Sequence, residues 1–394
     1  MLRPILALLL VSTGLPTCAA AATEMPLREL PADALVALAP ALRAAEIALL
    51  ESTRDGHQAQ VTVMAFVAAP PSLVREVITT PERFTDFGHN LSHADVRRLP
   101  DGAVDYDFSL DLGVVTLDNN HRMLLRPDGA IDIKDRGPHD HTNYRWRILP
   151  APGGTVLVQF GYTDVLHANG YIRRLVAAAP MVEEGLALTT QLFFVRAIKE
   201  RAEHLAPPGS VSPAPPAARP PSLAFLLERG RVAVIRSLPN GRLGDISIVD
   251  TIYAPRARVA EVIADASQYR TFVDGVKRSE VVDRRPGGGV VYETEFDLSV
   301  FNWVTRFELK RGPESVDVYG LSGDLSASHF RWDLTSLGEK KTRTVFRVHQ
   351  DLGAASPLLL GLLYRREPLF EHGISVAIAL LQEVGVRGRA EGWR

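Results

Sequence analysis

The sequence predicts an α+β fold used twice: two tandem helix-grip domains, each a curved antiparallel sheet around a long C-terminal helix. Three observations predict it. Motifs recur in order, the first being Ala69-Pro70, Leu73 to Ile78, Phe84 and Phe87. About 185 residues later come Ala254-Pro255, Arg258 to Ile263, Tyr269 and Phe272. Tyr106-Asp107, Tyr144-Arg145-Trp146 and Pro180-x-x-Glu183 are answered by Tyr292-Glu293, Phe330-Arg331-Trp332 and Pro368-x-x-Glu371. Between these points apolar residues alternate with polar ones at a period of two, the signature of half-buried strands. Each repeat then closes in a long segment that is apolar on more than one side.

Each element follows from local chemistry. Arg3, the apolar run Ile5 to Val11 and the small residues Ala19 to Ala22 read as an export signal over residues 1–22, which places the mature chain in the periplasm. Cys18 fits a lipid-anchoring site poorly, because Pro16 and Thr17 stand where small residues belong. Ala32 to Leu50 is rich in alanine and leucine and is expected to be helical. The first strand is expected at Gln60–Val67, matched by Asp245–Tyr253. Ser72 is placed to cap a short helix, Leu73–Thr79, and Pro81 to open a second. Strands follow where Tyr106, Phe108, Leu110 and Leu112 alternate with polar neighbours, again at Tyr144, Trp146 and Ile148, and over Thr155–Asp164. The long helices are expected at Pro180–Arg201 and Pro368–Val386, each starting on a proline.

The Pro/Ala/Ser stretch 205–222 cannot form a core and reads as a linker. It divides a first domain, 23–204 with its N-terminal helix, from a second, 223–394, each carrying its own sheet. A length of 394 residues and an apolar share of 46% suit two packed domains. A net charge of -2 gives no basic footprint for nucleic acid. Cys18 lies inside the signal, so thiol chemistry is excluded for the mature chain. Gly-x-Ser-x-Gly, phosphate-loop and His-Glu-x-x-His motifs are absent from the sequence.

The order of elements resembles the START-like (SRPBCC) superfamily, in its polyketide-cyclase and coenzyme Q-binding branch. The residues that carry the resemblance are Ala254-Pro255, Val259, Val262-Ile263, Asp265, Tyr269 and Phe272, then the aromatic-x-Trp strand Phe330-Arg331-Trp332. The first repeat departs from the pattern at Pro81 and Gly88, and has Thr80 where the second has Asp265. The resemblance implies a hydrophobic cavity between sheet and helix that holds a lipid, sterol, quinone or polycyclic compound. The superfamily also contains cyclases, so the fold does not decide activity.

Candidate ligand-binding residues are Phe84, Phe87, Tyr106, Phe108 and Trp146, with Phe160 beside them, and in the second repeat Tyr269, Phe272, Tyr292, Phe296, Phe330, Trp332 and Phe346. The same residue types build ordinary cores. Asn119 and His121 are more informative, since buried polar groups need a partner. Either they meet a ligand head group or a bulge turns them to solvent; their counterparts are Thr305 and Phe307. His89, His93, His139 and His141 are a weak metal motif without counterparts in the second repeat, so no metal and no cofactor are expected. Leu358, Leu359, Leu362 and Leu363 beside Arg365 and Arg366 suit a lid that touches a membrane surface, or a loop folded on its own core. The expected function is a periplasmic carrier of a hydrophobic small molecule or lipid. The alternatives are a cyclase, dehydratase or hydrolase acting on a polycyclic substrate, and an envelope scaffold with filled interiors.

Overall fold

The computed structural model of the protein describes residues 26–53, 57–88, 91–111, 116–136, 142–164, 173, 176, 181–211, 222–238, 240–297, 302–350 and 368–393. The segment read as an export signal, most of the stretch read as a linker and the leucine-arginine segment read as a lid lie outside the described residues. In chain order, α1 (Ala32–Ala37) and α2 (Ala39–Leu42) lead into β1 (Glu46–Ser52) and β2 (Gln58–Val67). Then come α3 (Pro71–Thr79) and a 3-10 turn (Pro81–Asp86). The meander is β3 (Leu91–Arg98), β4 (Val104–Asp111), β5 (Thr116–Leu125), β6 (Ile131–Asp135), β7 (Asn143–Ala151) and β8 (Gly154–Tyr162), closed by α4 (Met181–Leu205). After α5 (Ala224–Leu227), the second half repeats this with β9 (Arg231–Ser237), β10 (Leu243–Ile252), α6 (Arg256–Ala264) and a 3-10 turn (Ala266–Thr271). It ends with β11 (Val276–Arg284), β12 (Val290–Asp297), β13 (Asn302–Arg311), β14 (Ser315–Gly323), β15 (His329–Ser336), β16 (Thr342–His349) and α7 (Pro368–Glu391).

The expectation of two separate sheets is corrected. All these strands form one 16-stranded antiparallel sheet, in the order β11-β12-β13-β14-β15-β16-β10-β9-β1-β2-β8-β7-β6-β5-β4-β3. The halves join edge to edge through β1 and β9, with Ala48 opposite Ala233 and Leu50 opposite Arg231. Outward from that seam the two halves present their strands in the same order, so the seam is a pseudo-two-fold axis. The seam strand β1 lies inside the segment whose composition reads as helix. The helix stops at Leu42, and Ile47 to Glu51 are buried in succession. A strand covered on both faces loses the alternation that would reveal it. One other local expectation fails: α3 begins at Pro71 with Pro70 as its N-cap, so Ser72 caps nothing.

Two apolar layers cover the centre of the sheet. On one face Leu35, Leu38, Leu42 and Leu226 pack on Met64, Phe66, Val156 and Val158. On the other, α4 lies on β2 and β8 and α7 on β10 and β16, in one core shared by both halves. α4 and α7 meet at small residues. A Cβ built on Gly185 falls 2.7 Å from the Ala377 Cβ, and one built on Gly373 collides with the Thr189 Oγ1.

A buried ionic network crosses the seam. Arg231 on β9 binds Glu184 on α4 at 2.7 Å, and its other nitrogen lies 3.6 Å from Glu383 on α7. Glu184 and Glu383 are fully buried. Asp250 on β10 pairs with Arg387 at 3.0 Å. Burial, reinforced by the neighbouring Asp250 and only partly opposed by Arg231, pushes the Glu383 carboxyl well above the usual carboxylate range. A second cluster on the same seam joins Arg196 to Glu46 at 3.0 Å and to the His372 ring at 3.0 Å. Away from the seam, the solvent-side face of the first half carries an arginine-carboxylate ladder. Arg122 holds the Asp105 carboxyl down to about 2, with Arg97 also bonded to it.

Candidate ligand site in the first half

The site grows from strand alternation. On β4 and β5, Tyr106 sits opposite His121 and Phe108 opposite Asn119, with no register shift between them. The outward bulge considered for Asn119 and His121 is therefore not formed. His121 is buried and Asn119 half-buried. On β7 and β8, Trp146 sits opposite Gln159 and Tyr144 opposite Gly161. A Cβ on Gly161 would fall 2.6 Å from the Tyr144 ring and 2.7 Å from the Gln191 amide, so only glycine lets strand and helix side chains meet there.

These side chains form one aromatic cluster. The His121 ring lies 5.5 Å from Tyr106, 5.2 Å from Phe108 and 6.1 Å from Tyr144, all edge to face. Phe84 contacts Tyr106 and Phe87 at 5.8 Å each. Phe87 is half-buried at the margin, with the Arg201 guanidinium 5.8 Å above it. Within the cluster is a cavity lined by Ile78, Phe84, Tyr106, His121, Ile133, Tyr144, Trp146, Gln159, Phe194 and Ile198, with about 20 Å³ open to the centre of a water molecule. That is room for about one water, so a larger ligand has to displace part of the lining.

The lining is mostly apolar, with Tyr106, His121, Tyr144, Trp146 and Gln159 supplying its polar atoms, and no Lys, Arg, Asp or Glu lines it among the described residues. The Tyr144 hydroxyl lies 3.1 Å from the Thr163 hydroxyl. Burial, with Tyr144 as a secondary contributor, holds the Tyr106 phenol far above its ordinary range, so it stays a neutral donor. Trp146 Nε1, Gln159 Oε1 and both amide atoms of Gln191 are buried and bond nothing among the described residues.

Among the described residues the second half places aromatic rings where the first half is polar. By strand register Tyr292 still faces its neighbour as Tyr106 does, but the neighbour is Phe307 in place of His121. Phe330 stands for Tyr144 and Phe346 for Gln159. The rings run in contact from Phe272 through Tyr269, Tyr292, Phe307 and Phe330 to Phe346, at 5.6–6.2 Å. Trp332 stacks on Phe346 at 4.0 Å, and Phe296 lies 6.1 Å from Trp303. Tyr269 donates to the Ile263 carbonyl at 2.5 Å, so its hydroxyl is already used.

Two sequence expectations are corrected. Phe160 packs on the opposite face of the sheet, against α1 and α2, and the cavity residue is its neighbour Gln159. The counterpart of Phe346 is thus Gln159, one residue from Phe160; a one-residue slip exchanges the faces of a strand. His93 lies exposed on β3 and not on a helix shared with His89. His89, His139, His141 and the lid residues Leu358, Leu359, Leu362, Leu363, Arg365 and Arg366 lie outside the described residues. Among the described residues no group of three or more His, Cys, Asp or Glu is placed to hold a metal, and no helix is long and apolar enough to cross a membrane.

Residues 252–367 match the family described as polyketide cyclase / dehydrase and lipid transport. That match lies within the second half, from the end of β10 to the start of α7. The first half repeats the order of elements of the second. A protein from Thermus thermophilus is 18% identical over 38% of this chain and 99% of its own, with a TM-score of 0.33. The di-domain ARO/CYC StfQ of the steffimycin biosynthetic pathway is 12% identical over 84% of this chain and 98% of its own, with a TM-score of 0.31. A STAR-related lipid transfer protein fragment from Xanthomonas axonopodis is 14% identical over 38% of this chain and 93% of its own, with a TM-score of 0.27. Scores this low do not by themselves establish shared architecture. No curated protein matches the chain.

Proposed function

We propose that this START-like protein is an exported, periplasmic carrier that takes a hydrophobic ligand into its first half, while the second half braces it. The observation that carries this reading is the exchange of His121, Tyr144 and Gln159 for Phe307, Phe330 and Phe346. The two halves differ in their interiors: one has hydrogen-bonding groups around a cavity, and the other has rings at the same positions. A buried polar group costs stability unless a protein partner or a ligand repays it, and among the described residues the Gln159 Oε1 bonds nothing. Ligand entry opens the cavity by moving the aromatic lining, of which Phe194 and Phe87 are only half-buried. Apolar burial then supplies roughly 25 cal/mol per Å².

The test is to recast the first half as the second. A His121→Phe, Tyr144→Phe protein that still folds by circular dichroism should bind a fluorescent polycyclic or sterol probe at least about tenfold more weakly. Unchanged binding would show that the first-half interior is not the site. An enzyme reading rests on one specific observation, the contact of His121 with two tyrosines, Tyr106 and Tyr144. Turnover of a bound polycyclic substrate that disappears in the same variant would favour it.

A further inference from the structure

Trp146 and Gln159 face each other directly across β7 and β8, and both are all but fully buried. Both line the cavity. Among the described residues the Trp146 Nε1 is a donor with no acceptor, and the Gln159 Oε1 is an acceptor with no donor; neither bonds the other. A matched donor and acceptor held side by side and left open is a costly arrangement. In the equivalent pair of the second half, Trp332 and Phe346 stack at 4.0 Å, and the phenylalanine brings no acceptor to be left unmet.

We propose that Trp146 and Gln159 form a clamp for a single neutral hydroxyl, of alcohol or phenol type, on a flat apolar ring. One hydroxyl is both acceptor and donor: its oxygen takes the indole hydrogen while its hydrogen goes to the Gln159 Oε1. The clamp rests on the carrier reading above and narrows its ligand class. Among the described residues the cavity lining carries no Lys or Arg to meet a phosphate or carboxylate, so an ionised lipid head group would be desolvated without compensation there. A ketone or ether satisfies the indole alone and leaves the Gln159 acceptor buried and unmet. A site built to bond a hydroxyl rejects the analogue that lacks it. Gln159 is thus the specificity-determining residue, and Trp146 its partner.

The experiment is calorimetric titration of the full mature chain with three probes: a naphthol, its methyl ether, and palmitate. The naphthol should bind roughly tenfold or more tightly than the ether, and palmitate more weakly than the naphthol. Gln159→Leu should bring naphthol and ether to within about twofold of each other, and Trp146→Phe should narrow the gap as well. Circular dichroism melts identify any variant that fails to fold, and the other variant then decides. Equal binding of naphthol and ether to the parent overturns the clamp while leaving apolar binding in this half intact. So does a gap that survives both substitutions, or a preference for palmitate. Failure of all three probes to bind overturns the carrier reading and the clamp with it.

Discussion

Replacing Arg231 by Met should lower the unfolding free energy by about 3–5 kcal/mol, the usual cost of removing one partner from a buried ion pair. Glu184 is fully buried and bonds the Arg231 guanidinium at 2.7 Å. Without Arg231, a carboxylate is left in an apolar seam beside Asp250 and Glu383. A urea titration followed by fluorescence measures the loss, and a change below about 1 kcal/mol would show that the seam tolerates the stranded charge by admitting water. Glu383 adds a pH dependence. Its folded-state pKa lies above the ordinary 4.5, chiefly through burial. A raised carboxyl pKa means the folded state holds a proton that the unfolded state has released. Its stabilising contribution is therefore complete below pH 4.5 and declines as the pH rises toward the folded value. The groups facing it are Arg231 on β9, Asp250 on β10 and Arg387 on its own helix. Glu383→Gln should remove this part of the slope and gain stability over the parent at alkaline pH. Parallel stability-versus-pH curves for parent and variant would contradict the assignment.

Gly373→Ala should destabilise the protein by about 1–3 kcal/mol, the range for overpacking a filled core. Helix propensity alone argues the other way, since alanine improves on glycine inside a helix by about 1 kcal/mol. The sign is therefore diagnostic. The added Cβ collides with the Thr189 Oγ1 and falls 2.9 Å from its Cβ, and the Thr189 hydroxyl is tied to the Gly185 carbonyl at 2.7 Å. Thr189 cannot yield without giving up that bond or parting the helices. Adding Thr189→Ala should restore most of the loss. A stabilised Gly373→Ala protein in thermal melts would show that α4 and α7 have slack at their crossing.

The duplicated order of elements was legible because motif echoes survive wherever they fix turns and strand pairs: Ala69-Pro70 before α3, Trp146 on β7, Pro368 opening α7. Alternation also placed Tyr106, Phe108 and His121 on one face of the sheet. The seam was not legible. Glu46-Ile47-Ala48-Leu49-Leu50 has helical composition, and its role is set by β9, far away in sequence. Gln159 was hidden for a related reason. It interrupts the run Val156 to Phe160, in which both faces of the strand are covered and only register tells them apart. The conspicuous aromatic drew the assignment one residue away from the polar side chain that lines the cavity. The closed state of the cavity was equally invisible, since rings that line a space and rings that fill it have the same sequence.

Edge-to-edge fusion sets a timetable for biosynthesis. Ala48 finds its partner Ala233 only after roughly 185 further residues have been made. At about 5–20 residues per second that is some 10–40 s of waiting. During that interval β1 offers a bare row of backbone donors and acceptors, flanked by Leu49 and Leu50, to any nascent neighbour with a strand to lend. Either half made alone would keep that exposed border permanently. A chain interrupted within the linker should therefore pair with copies of itself, and holding the nascent chain apart until β9 arrives becomes a demand on the cell's chaperones.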